Sequence, residues 1–109
     1  MKSFAHLEGA KIVAADGTFL GIISTRPFDP DSIANEFGEY GNEFKPKSIF
    51  NEFGQYGNRL SSLSPFNPMA AAPPKISRDD RFVAYLTKNS FLSPRIDPDE
   101  LLSWLRPDR

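Results

Sequence analysis

The chain has 109 residues, of which 39% are hydrophobic and 25% charged, an ordinary globular balance with room for one domain and none for a separate cofactor domain. Thirteen basic against fourteen acidic side chains leave a formal charge of −1, which argues against a broad electrostatic footprint for nucleic acid or anionic lipid. The absence of cysteine removes disulfides, thiolate metal sites and a cysteine nucleophile. No apolar run reaches the ~18 residues of a membrane span, and Met1-Lys2-Ser3-Phe4 leads into no signal core, so a soluble, cytoplasmic chain is expected.

Residues 11–25 place apolar residues on both sides of Asp16-Gly17, a two-residue hairpin signal. Residues 29–44 then read DPDSIANEFGEYGNEF and residues 45–60 read KPKSIFNEFGQYGNRL, identical at ten of sixteen positions. A third, degenerate copy runs to residue 72, keeping the sixteen-residue spacing of Ser32, Ser48 and Ser64 and of Asn35, Asn51 and Asn67. In each full copy the serine is read as capping a short helical turn over I-x-N-E-F, with Gly38 and Gly54 stopping it at positive φ. A unit this short is not stable alone, so its isoleucines and aromatics must be buried against neighbouring copies or a sheet.

A second hairpin is read at residues 75–88 around Asp79-Asp80. Phe19, Gly21, Ile23 and Ser24 align with Phe82, Ala84, Leu86 and Thr87, 63 residues later. Residues 97–106 read as a helix: Asp97 caps, Pro98 takes the first position, Asp99 and Glu100 suit the dipole, and Leu101, Leu102, Trp104 and Leu105 supply an apolar face. The fold class predicted is a single α+β domain: a small antiparallel sheet of two related hairpins, a loop-rich repeat layer over it, and a C-terminal helix.

Catalysis finds little support. His6 is the only histidine, and nothing near it supplies a triad spacing. Counting a calcium loop from Asp29 puts Ile33, Ala34 and Tyr40 where an oxygen ligand, a glycine and a glutamate are needed. No metal or other cofactor is therefore expected, and the glycines lack the frame of a phosphate loop.

Residues 27–74 are rich in proline, glycine, asparagine and serine yet hold eight of the fourteen aromatics, too large a hydrophobic load for a solvated tail. Copy one sums to −5 and copy two to +2, with Asp29 and Asp31 replaced by Lys45 and Lys47 one repeat later. This exchange reads either as pairing of neighbouring copies or as a register device that joins molecules.

The pattern D-P-D-S-I-x-N-E-F-G-x-Y-G-N and its K-P-K repeat, followed by S-P-F-N-P-M-A, P-P-K-I and F-V-A-Y-L-T, resembles a group of small bacterial repeat proteins. In that group S-I-x-N-x-Y-G-x-Y-G units precede an S-P-x-N-P-Y-A unit and a Y-L-T strand. The resemblance covers about residues 11–90, departs at Met69 and at the Asp/Lys exchange, and carries over no activity and no catalytic residue. The function predicted is non-enzymatic: an interaction or accessory module that contacts another protein, with self-association as an option, through Tyr40, Asn42, Tyr56, Asn58, Asp29, Asp31, Lys45 and Lys47. A small-ligand or glycan site built from the same residues is the alternative. Neither nucleic acid nor a membrane is expected as a partner.

Overall fold

The computed structural model describes residues 2–107. Strands β1 (Lys11–Val13), β2 (Phe19–Ile22), β3 (Lys75–Arg78), β4 (Arg81–Leu86) and β5 (Arg95–Ile96) make one sheet in the order β2-β1-β3-β4-β5. The two hairpins join through their first strands, where Ile12 lies opposite Ile76 and both are fully buried. Their turns differ. At the first, the Gly17 N–H donates to Ala14 O and Gly17 sits at φ +89°. The second is a two-residue turn with Asp79 and Asp80 at φ 53° and 63°, the left-handed pair that matches strand twist. The aligned ends behave alike: Ile23 and Leu86 are fully buried, while Ser24 Oγ accepts from Arg26 N–H and Thr87 Oγ1 from Asn89 N–H.

The class is α+β with a small sheet and a C-terminal helix, and the sheet is mixed where a wholly antiparallel one was expected. Residues 87–94 turn the chain back along β4, so that β5 pairs with it in parallel, Tyr85 opposite Arg95. Helix α1 (Pro98–Leu105) starts at Asp97, whose carboxylate accepts from the Asp99 and Glu100 N–H groups. Leu101 and Leu105 enter the core, and Trp104 meets Phe4 edge-on at 6.2 Å.

The repeats contain no helix. Backbone N–H groups bond to carbonyls three residues back at Ser32, Asn35 and Gly38, four back at Asn42, and three back at Lys45, and the same sequence of steps recurs through Ser48, Asn51, Gly54, Asn58 and Ser61. The sixteen-residue period is thus five consecutive turns. At each serine or asparagine vertex the side-chain oxygen also accepts the N–H two residues on, as in Ser32–Ala34, Asn35–Phe37, Asn42–Phe44 and Ser48–Phe50. This local bond competes with helix continuation, and a vertex every third residue prevents a helix from propagating. The first asparagine of each copy adds a staple from its amide six residues back: Asn35 to Asp29 O, Asn51 to Lys45 O and Asn67 to Ser61 O.

Glycine serves this ribbon by absence of bulk. Gly38 and Gly54 do not adopt the positive φ expected of helix stops, because there is no helix to stop. Gly41 and Gly57, in the four-residue steps, are the tight positions. A Cβ there would run into the carbonyl oxygens of Asn35 and Asn51, and would stand 2.8 Å and 2.7 Å from those of Ile33 and Ile49.

Candidate interaction surface

Serine turns and asparagine turns face opposite ways. Ser32, Ser48 and Ser64 are fully buried, and the residues after them build the core: Ile33, Ile49 and Pro65 are buried, and Phe50 and Phe66 contact each other at 6.2 Å. The asparagine turns aim outward. All six asparagines of the chain, at positions 35, 42, 51, 58, 67 and 89, are followed two residues later by a large apolar side chain. Each asparagine Oδ1 accepts that residue's N–H. Phe37, Phe44, Phe53, Leu60, Met69 and Phe91 are each between 76% and 91% exposed.

In the first two repeats three of these side chains, Phe44, Phe53 and Leu60, are contiguous. Phe44 and Phe53 line one shallow groove with Phe50, and Phe53 and Leu60 line the next. We refer to Phe37, Phe44, Phe53 and Leu60 as the comb. These exposed side chains are not among the residues named from the sequence; their signal there is the Asn-x-apolar tripeptide at every asparagine.

The tyrosines sit between the ribbon and hairpin one. Tyr56 is buried, and its hydroxyl donates to Asp16 Oδ2 at 2.7 Å and lies 3.0 Å from Thr18 Oγ1. Thr18 lowers the phenol pKa, while Asp16 and burial raise it, and the net shift is upward. The same bond, with help from Thr18, holds the Asp16 carboxyl below its ordinary range. Tyr40 is half-buried, edge-on to Phe19 at 5.0 Å; burial, then Asp31 and Glu39, push its phenol up. Asn42 and Asn58 hold Phe44 and Leu60 in place through their side-chain oxygens.

Asp31, Lys45 and Lys47 are exposed and Asp29 is half-exposed. Among the described residues no ion pair joins these acids to these lysines. The structure therefore does not pair the opposed charges within one chain. The ion pairs it does form lie elsewhere: Lys2 meets Glu100 at 3.1 Å, Lys88 bridges Asp97 and Asp99 at 3.1 and 2.7 Å, and Arg106 approaches Glu36 at 3.8 Å.

A cavity of about 380 Å³ lies between the ribbon and α1, bounded by Phe44, Phe50, Leu102 and Arg106. Its cation is already engaged. Arg106 donates to the carbonyls of Ala34, Ile33 and Gly41 at 3.1, 2.9 and 3.3 Å and stacks on Phe50 at 5.2 Å; burial lowers its pKa. Arg106 is thus a clasp that closes α1 onto the first repeat. Among the described residues no three histidine or carboxylate side chains converge as a metal site, and no helix is long and apolar enough to cross a membrane. Comparison with protein-family models, with curated proteins and with solved structures returns no match.

Proposed function

We propose that the chain is a non-enzymatic protein-interaction module whose contact surface is the comb, framed by Asp29, Asp31, Lys45 and Lys47. One observation carries this reading: hydrogen-bonded asparagine turns hold large apolar side chains in solvent at recurring positions, while the tyrosines are packed against hairpin one. A fold that needed only a core would gain nothing from presenting these residues to water. Contiguous exposed apolar surface of this kind marks contact sites, and the ribbon beneath it is fixed by local bonds, which limits the ordering cost of binding. The glycan alternative, which relies on the tyrosines, is weaker because Tyr56 is buried against hairpin one; Glu43, Glu52, Gln55 and Asn58 line the grooves beside the apolar side chains.

The test is amine crosslinking through Lys45 and Lys47 in lysate of the source cells, followed by mass spectrometry. It compares the native chain with a Phe37→Ser/Phe44→Ser/Phe53→Ser/Leu60→Ser variant. Crosslinks from residues 29–60 that vanish in the variant, with its circular dichroism spectrum unchanged, are expected. Crosslinks unaffected by the four substitutions would refute the reading.

A further inference from the structure

Charge and geometry together point to a second copy of this chain as the occupant of the comb. The first half of the comb, Phe37 and Phe44, belongs to the repeat that carries −5; the second half, Phe53 and Leu60, belongs to the repeat that carries +2. Asp29 and Asp31 make no ion pair with Lys45 and Lys47 inside the chain, although all four reach solvent. Resting on the reading of the comb as a contact surface, we propose that two copies pair comb to comb in antiparallel register, the acidic first repeat of each on the basic second repeat of the other.

An antiparallel pair is the arrangement that charge selects. A parallel pair would set acid on acid and base on base, whereas a two-fold axis between the repeats makes every 29/31-to-45/47 contact attractive, twice over, as an isologous interface requires. The area suffices as well. Four exposed comb side chains at roughly 150 Å² each give about 600 Å² per copy, most of the ~800 Å² per partner of a standard interface. An anionic bilayer would meet repulsion from the first repeat, which makes it the poorer occupant.

Sedimentation of the full chain over a concentration series tests this. The native protein is expected to dimerise, less so as salt is raised. Lys45→Glu/Lys47→Glu sets acid on acid in its own homodimer, and Asp29→Lys/Asp31→Lys sets base on base. Each is expected to weaken self-association by about tenfold or more, with circular dichroism unchanged. An equimolar mixture of the two variants restores all four attractive contacts and is expected to dimerise more strongly than either alone. A native chain that stays monomeric up to ~1 mM overturns the proposal, as does a mixture no tighter than its components. Neither result touches the crosslinking test of the comb, so the two readings fail separately.

Discussion

Replacing Gly57 by alanine should damage the fold far more than the same change at Gly54, three residues earlier. A Cβ on Gly57 collides with the Asn51 carbonyl oxygen and stands 2.7 Å from that of Ile49, while ordinary contact begins near 3.4 Å. Both obstacles are backbone within the turn ladder, so relief requires the four-residue step to open and the Asn58 N–H bond to Gly54 O to be lost. Overpacking of this kind costs about 1–3 kcal/mol and the lost bond about 1 kcal/mol more, giving ~3 kcal/mol for Gly57→Ala. A Cβ on Gly54 first meets the Asn51 side-chain amide at 3.2 Å. That group can yield by tenths of an ångström, so Gly54→Ala should cost ~1 kcal/mol or less. Urea denaturation with unchanged m-values resolves this difference, and at about 4–8 °C per kcal/mol for a domain of this size the Tm of Gly57→Ala should fall by more than ~10 °C. Equal stabilities for the two variants would refute the packing argument.

Arg106→Lys is expected to lose ~2 kcal/mol by the same assay, because an ammonium cannot serve the three carbonyls of Ile33, Ala34 and Gly41 while also covering the Phe50 ring as the guanidinium does. Tyr56→Phe keeps the ring but removes the hydroxyl's bonds to Asp16 and Thr18 at the first hairpin turn, and a lower urea midpoint than that of the native chain is expected. Asp97→Ala removes the α1 cap at a cost of ~1 kcal/mol at neutral pH, with a sign that pH exposes. Burial raises the Asp97 carboxyl pKa, but Lys88 and the Asp99 and Glu100 N–H groups outweigh burial and leave it below the ordinary 3.8. The stabilisation is therefore present above that value and lost as pH falls through the lower folded one. Urea midpoints of the native chain and of Asp97→Ala should accordingly converge as pH drops below about 4.

The elements specified by local chemistry were legible in the sequence. Asp16-Gly17 and Asp79-Asp80 mark both hairpins, and Asp97-Pro98 with two following acids marks α1. The period was legible too, but its conformation was not. A serine or asparagine that accepts the N–H two residues on serves a helix cap and an isolated turn equally well; what decides is the next vertex three residues later, at Asn35 after Ser32 or Asn51 after Ser48. Strand β5 has two residues and exists only because β4 offers it an edge, which no local pattern encodes. The placement of Tyr56 was not legible, because its hydroxyl partners lie far away in the chain. Asp16 and Thr18, forty and thirty-eight residues distant in sequence, bond the Tyr56 hydroxyl, while Phe37, Phe44 and Phe53 are exposed.

The side chains that follow the buried serine turns face the core, and those that follow the asparagine turns face solvent. The stability difference between Phe66→Ser and Phe53→Ser tests this arrangement most directly, since both residues follow a turn vertex by two positions and share one local hydrogen-bond pattern. Phe66 is 8% exposed and Phe53 91%. Phe66→Ser should cost ~3 kcal/mol or more in equilibrium urea unfolding, and Phe53→Ser should lie within about 0.5 kcal/mol of the native chain. Equal costs for the two substitutions would contradict the account.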